Sequence, residues 1–182
     1  MKKLVLLIAV ALPLTAGLAL AEETVCEGSL GAVTVDNLLV PEGATCLLNR
    51  TKIQGTIVVK TGASLHAKRI KVNGNVQAEG AALVQVLAKS TVGGSIQVVQ
   101  GGSAWVDSSK VTMDILYDSN TGPLAATRNG VGGNIQVFQN TGGVEISDNF
   151  VDGNLQCTAN EPAPTGGGNV VQGNKENQCA GL

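Results

Sequence analysis

The chain has 182 residues, of which 43% are hydrophobic and only 2% aromatic, and it carries a net charge of −2. Its 24 glycines argue against a helical protein. The slightly acidic balance excludes a general attraction to nucleic acids or other polyanions.

The N-terminal residues 1–21 read as a bacterial secretory signal. Lys2 and Lys3 are followed by the apolar run Leu4–Leu14 and by the small-residue cleavage motif Ala19–Ala21. A membrane anchor is a weaker reading, because proline and glycine interrupt a segment that is already short for a bilayer span. No second apolar segment follows, so we expect no transmembrane segment after signal removal and an exported protein, periplasmic or extracellular.

The rest of the chain repeats one phrase, Val-x-Gly-Asn-Ile-Gln-Val, every 19 or 20 residues. Its glycine slot falls at Asp36, Gly55, Gly74, Gly94, Met113, Gly133, Gly153 and Gly173. Apolar residues alternate within each unit, as in a half-buried strand. A fixed period of this length is typical of stacked units that cannot bury their apolar faces alone. We therefore predict that residues 22–182 form one all-β domain, a parallel β-helix of about seven to eight coils.

The slot after the glycine is polar in every unit. It contains Asn37, Thr56, Asn75, Ser95, Asp114, Asn134, Asn154 and Asn174. Equivalent residues of stacked coils lie above one another, so this row predicts a hydrogen-bonded ladder along the solenoid. Two slots further on, Gln77, Gln97, Gln136 and Gln156 form a second row, which we expect to face solvent.

The Gly-Asn-Ile-Gln phase, over roughly residues 25–179, resembles the right-handed parallel β-helix proteins, the solenoid of pectate lyases, secreted surface proteins and adhesin passengers. The rhythm is also similar, more weakly, to that of the polymer-forming bactofilins, which are cytoplasmic. The resemblance implies a right-handed solenoid.

Four cysteines fit an exported protein. Cys26 and Cys46 are 20 residues apart, and Cys157 and Cys179 are 22 apart, about one coil in each case. We predict these two disulfides, because the alternative Cys26–Cys157 bridge would cross about six coils, roughly 29 Å. The proline- and glycine-rich segment 160–168 reads as a loop inserted before a C-terminal capping coil.

No catalytic constellation is predicted. His66 is the only histidine, and its alternation with Leu65 and Ala67 predicts an outward, ordinary surface residue. The chain lacks a paired-cysteine metal motif, so we expect no metal, no cofactor and no enzymatic activity.

A basic patch is the first candidate binding site. It comprises Arg50, Lys52, Lys60, Lys68, Arg69 and Lys71, with no acidic residue between Glu42 and Glu79. Lys52 and Lys71 are one coil apart, so they should stack, and stacked like charges are costly unless an anion or solvent screens them. The patch could bind an anionic polymer, or it could be a solvated edge that discourages strand pairing.

The coil that starts at Met113 is the second candidate site, because methionine replaces its glycine. Trp105 in the preceding coil should face outward, and together with Tyr117 and Asp118 it could stack on a sugar ring or a partner. Simple repacking is the alternative.

These patterns together predict a secreted, non-catalytic β-helix with a structural or adhesive role, which presents a rigid surface to a polysaccharide or another envelope component. A polysaccharide lyase or hydrolase and a self-assembling filament subunit are the alternatives. Bridges that close both ends argue against the filament. No specific nucleic-acid signal is present, and the sequence leaves the oligomeric state open.

Overall fold

A computed structural model describes residues 22–182, and the predicted secretory signal lies outside them. Within this range the chain winds into coils of three short strands, each separated by a bend. Equivalent strands of successive coils pair in parallel, which gives three long sheets, A, B and C, around one interior. The predicted all-β parallel solenoid, with a period of about 20 residues and about seven turns, is confirmed.

Each sheet contains every third strand of the chain. Sheet A contains β1 (Glu23–Val25), β4 (Asn37–Val40), β7 (Ile57–Val59), β10 (Val76–Glu79), β13 (Ile96–Val99), β16 (Ile115–Asp118), β19 (Ile135–Phe138), β22 (Leu155–Thr158) and β25 (Lys175–Asn177). Sheet B contains β2 (Ser29–Leu30), β5 (Thr45–Asn49), β8 (Ser64–Lys68), β11 (Leu83–Leu87), β14 (Ser103–Asp107), β17 (Leu124–Thr127), β20 (Val144–Ser147) and β23 (Thr165–Gly167). Sheet C contains β3 (Thr34–Val35), β6 (Lys52–Ile53), β9 (Lys71–Val72), β12 (Thr91–Val92), β15 (Lys110–Val111), β18 (Gly130–Val131), β21 (Phe150–Val151) and β24 (Val170–Val171).

The apolar rows of the repeat form the interior. Ile57, Val76, Ile96, Ile115 and Ile135 are register partners in successive strands of sheet A, and all are fully buried. β-Branched side chains stack well on such a surface because their restricted rotamers suit a strand. Each coil buries its apolar face only against its neighbours, so the fold depends on the repetition.

At the bend before sheet A, the side chains of the polar row occupy the space next to the glycines of the following coil. The backbone N–H of Asn154 donates to Asn134 Oδ1 (2.8 Å), and the same oxygen lies where a side chain on Gly153 would begin. The predicted ladder is therefore present, but most of its bonds run from a backbone N–H to the side chain of the preceding coil. At Met113, which replaces the glycine, the preceding coil contributes Ser95, a shorter side chain than asparagine.

Two further ladders lie inside the solenoid, and the sequence analysis missed both. Asn120, Asn140 and Asn160 line the bend between sheets A and B, whereas Asn129, Asn149 and Asn169 line the bend between sheets B and C. All six are buried, and each side-chain N–H donates to a backbone carbonyl as well. Buried polar groups are tolerated only with such partners. These amides therefore replace missing backbone hydrogen bonds where the strands end.

The two predicted disulfides are present. Cys26–Cys46 joins the first coil to the second, with Cα atoms 5.5 Å apart, and Cys157–Cys179 joins the last two coils, with Cα atoms 5.3 Å apart. Each bridge covalently fastens a terminal coil, where strand edges lack a partner. Two disulfides are compatible with an exported protein.

The predicted insertion at 160–168 is wrong. Thr165–Gly167 is the regular sheet B strand of its coil, β23, and it pairs in register with β20. This coil has the ordinary length, because Val151 and Val171 are 20 residues apart and are register partners. Its glycines and prolines are therefore substitutions within a regular coil.

Candidate functional site

The outer face of sheet B is the first candidate surface. Its central row, in register from coil to coil, consists of Leu47, His66, Gln85, Trp105, Ala125, Glu145 and Thr165. At about 4.8 Å per strand the row is roughly 29 Å long. A groove of about 390 Å³ lies at its N-terminal end, lined by Leu47, His66 and Lys68 among others. The row combines apolar and polar side chains on one face of the solenoid.

Trp105 lies near the middle of this row. It is half-buried, and it alternates with the fully buried Ala104 and Val106, so its predicted outward direction is confirmed. On one side its register partner is Gln85, and on the other it is Ala125, which is only 8% exposed. With small and polar neighbours on either side, part of the Trp105 ring stays accessible, and an accessible aromatic face can stack on a flat ligand.

His66 also faces outward, as predicted. Its Nδ1 donates to Gln85 Oε1 at 2.7 Å, which joins two consecutive members of the row. Leu47, the register partner of His66 on the other side, is 48% exposed. The bond holds the imidazole in place beside the groove.

The prediction that Tyr117 contributes to the surface is wrong. Tyr117 is fully buried, because it occupies the inward slot that Val98 and Val137 fill in the neighbouring coils. Its hydroxyl donates to the carbonyl oxygen of Ala125 at 2.8 Å. Burial raises the pKa of the Tyr117 phenol far above its usual range, so the group stays neutral. The irregular coil is therefore partly an interior repacking.

Asp118 lies on a different face from Trp105. It is the last residue of β16, on the outside of sheet A, and its carboxylate accepts a hydrogen bond from the hydroxyl of Ser119 at 2.8 Å. The structure thus distributes the second predicted site over sheet B, the interior and sheet A. Only Trp105 remains as a candidate for stacking.

The predicted basic patch is real but differently composed. Lys52, Lys68, Arg69 and Lys71 all lie exposed where sheet B bends into sheet C, and Lys52 and Lys71 are register partners as expected. Lys60 lies instead at the bend between sheets A and B. Lys89, Lys110 and Arg128, which are distant in sequence, extend the patch along the same bend.

We call this surface the basic edge. It consists of Arg50, Lys52, Lys68, Arg69, Lys71, Lys89, Lys110 and Arg128, all exposed. These are eight of the ten basic residues that follow the predicted signal. Among residues 22–182 the only ion pair joins Arg128 to Asp107, so the other seven cations have no carboxylate within bonding distance. The basic edge concentrates positive charge on a chain that is acidic as a whole.

No group of three or more His, Cys, Asp and Glu side chains in residues 22–182 could hold a metal ion, and no helix there is long and apolar enough to span a membrane. All four cysteines are in disulfides.

Comparison with protein-family models, with curated proteins and with solved structures gives no match for this chain. The fold and the surfaces therefore define its class: a parallel β-solenoid fastened by two disulfides.

Proposed function

We propose that this is an exported, non-catalytic binding protein that holds a polysaccharide along the outer face of sheet B. The observation that carries the proposal is the position of Trp105, a partly exposed aromatic side chain at the centre of a row of register-matched side chains. Aromatic rings offer their faces to the apolar faces of sugars, and such residues commonly dominate binding energy.

The shape of the surface favours a linear ligand over a small one. The row extends across seven coils, and the groove at Leu47 and His66 continues it toward the N-terminal end. Since every coil presents one side chain to the row, successive units of an extended polymer could meet successive side chains. Gln85, Glu145 and Thr165 supply hydrogen-bonding groups for hydroxyls in this arrangement.

Export supports a role in the cell envelope or outside the cell. The predicted signal at residues 1–21 and the two disulfides both favour an oxidising compartment. A structural or adhesive role suits a rigid rod whose interior is held by buried apolar rows and amide ladders.

The test uses the single tryptophan of the chain as the probe. Purified residues 22–182, with disulfides intact, are titrated with neutral and acidic polysaccharides while tryptophan fluorescence is recorded. We expect a saturable change in emission with at least one polymer and no release of reducing ends or unsaturated products. Product release would instead support the lyase or hydrolase alternative.

The matched variants are Trp105→Ala and Phe138→Ala, assayed by affinity electrophoresis or co-sedimentation because the first removes the probe. Phe138 is a partly exposed aromatic side chain on the outside of sheet A. We expect Trp105→Ala to weaken binding about tenfold or more and Phe138→Ala to leave it unchanged. Equal binding by both variants would exclude the sheet B face. Filaments that grow with protein concentration in electron micrographs would favour the self-assembling alternative.

A further inference from the structure

We propose that the basic edge and the outer row of sheet C dock this protein on an anionic lipid bilayer. From the second coil onward, the outer row of sheet C consists of Lys52, Lys71, Thr91, Lys110, Gly130, Phe150 and Val170, register partners in consecutive coils. Its first four members are cationic or polar, and its last two are large apolar residues. The proposal does not depend on polysaccharide binding by sheet B.

The charge of the edge is the first argument. Within residues 22–182, seven of its eight cations have no ion-pair partner, and the coil-to-coil spacing of about 4.8 Å holds Lys52 directly beside Lys71. Like charges at that separation repel, so a surface of negative charge that neutralises them is a favourable partner. Each Lys or Arg brought to an anionic membrane adds to the attraction, and the effect fades within a Debye length.

The exposed apolar pair is the second and independent argument. Phe150 is 48% exposed and Val170 is 54% exposed, and they are register partners in sheet C. The neighbouring Gly130 has no side chain, so the Phe150 ring stands clear on that side. Exposure of these two apolar side chains to water is unfavourable, whereas insertion at the boundary between lipid headgroups and acyl chains would bury them.

The alignment of the two features favours a bilayer over a soluble polyanion. A hydrated polymer would use the cations but not Phe150 and Val170. Single-stranded nucleic acid is normally held by aromatic side chains among the cations, and the basic edge contains none. A membrane surface, negative at its headgroups and apolar beneath them, matches both ends of the row.

Two carboxylates oppose this docking. Asp148 lies at the bend just before Phe150, and Asp152 lies just after β21, both exposed. They should be repelled by the same lipids that attract the edge. Removing either charge should therefore strengthen binding, which gives the proposal a prediction of opposite sign.

The experiment is co-sedimentation of residues 22–182 with vesicles of phosphatidylcholine alone or with part of it replaced by phosphatidylglycerol. We expect binding only to the anionic vesicles, weakened by added salt. Lys71→Gln should weaken it about fivefold, whereas Lys60→Gln, a matched loss of one charge at another bend, should not change it. Asp148→Asn should strengthen it.

The apolar contribution is tested separately. Phe150→Ser should reduce binding about threefold or more, while Phe138→Ser on sheet A should not. In a Trp105→Phe background, the Phe150→Trp variant contains tryptophan only at position 150. We expect brominated lipid to quench the fluorescence of this tryptophan, which would show that position 150 enters the bilayer.

Three results would overturn the proposal: equal binding to neutral and anionic vesicles, no effect of Lys71→Gln, or binding of polyphosphate or nucleic acid at the edge without any vesicle binding. Trp105→Ala should retain vesicle binding. Failure of the membrane proposal and failure of the polysaccharide proposal are therefore distinguishable.

Discussion

Asn140 tests whether the interior amide ladders hold the solenoid together. Its side-chain oxygen accepts from the backbone N–H and the side-chain N–H of Asn120, at 2.9 and 3.0 Å. Its side-chain nitrogen donates to the Tyr117 carbonyl at 3.0 Å and to Asn160 Oδ1 at 2.9 Å. The residue is fully buried, so water cannot replace these bonds.

The change Asn140→Ala removes all four hydrogen bonds, but some of the partner groups keep another hydrogen bond. Asn120 Nδ2 still donates to the Val98 carbonyl, and Asn160 Oδ1 still accepts from the backbone N–H of residue 140. The Asn120 backbone N–H and the side of the Tyr117 carbonyl that Asn140 occupied lose their partner. At about 1–3 kcal/mol for each of these two buried groups left without a hydrogen bond, we expect a loss of about 2–6 kcal/mol in the free energy of unfolding.

The measurement is urea denaturation followed by tryptophan fluorescence and circular dichroism. Asn174→Ala is the control, because Asn174 is exposed and its side chain accepts no hydrogen bond from a further coil. This variant should stay within about 0.5 kcal/mol of the parent. If Asn140→Ala also costs less than about 1 kcal/mol, the interior ladders do not stabilise the fold.

Three further predictions concern other rows. Gly153→Ala should cost about 1–3 kcal/mol by thermal unfolding, because the added carbon would lie 2.6 Å from a backbone carbonyl oxygen of the preceding coil, whereas Gly130→Ala, with open space, should be nearly neutral. Burial raises the pKa of Tyr117 in the folded state, so as the pH rises the phenol ionises in the unfolded chain before it does in the folded one. The contribution of Tyr117 to the free energy of unfolding should therefore be complete below about pH 10 and decrease by about 1.4 kcal/mol per pH unit above it. The Tyr117→Phe variant, denatured at the same pH values, should not show this alkaline decrease. Lys71→Glu should raise stability by about 0.2–1 kcal/mol at low salt by pairing with Lys52, and the gain should vanish in high salt.

The repeat predicted the fold because solenoid rows are periodic in sequence and in space. The spacing of Cys26 and Cys46, like that of Lys52 and Lys71, translated directly into neighbouring positions on stacked coils. The same logic was available for Tyr117, whose slot is apolar and inward in the coils on either side. The error there came from treating an aromatic replacement as a surface feature instead of following its row.

The interior ladders were not predictable by alternation alone. Asn120, Asn140 and Asn160 each follow a residue with a positive φ of 54–57°, a left-handed conformation that turns the chain between sheets A and B. A left-handed residue breaks the two-residue alternation of inward and outward side chains. Extending the inward–outward alternation of the preceding strand into the bend therefore places the asparagine side chains on the outside, where they do not lie. Spacing predicted that these amides stack, but only the backbone conformation directs them inward.

The basic edge shows a second limit of reading along the chain. Lys89, Lys110 and Arg128 look isolated in sequence, and they join Arg50 and Lys52 only because the bend recurs once per coil. A local charge run thus underestimates a surface that lies parallel to the solenoid axis, and it wrongly includes Lys60.

The division of labour between rows follows from the same geometry. Inward-facing rows must repeat, because each coil packs against neighbouring coils of the same shape. The residues in these rows are therefore constrained by the fold. Outward rows carry no such constraint, and here two of them depart from repetition in different ways: sheet B around Trp105, and sheet C from Lys52 to Phe150. These faces meet at the bend where Arg128 pairs with Asp107. A polymer on sheet B and a bilayer on sheet C would therefore occupy neighbouring faces of the solenoid. Lys68 lies where the two would meet, because it lines the sheet B groove and also belongs to the basic edge.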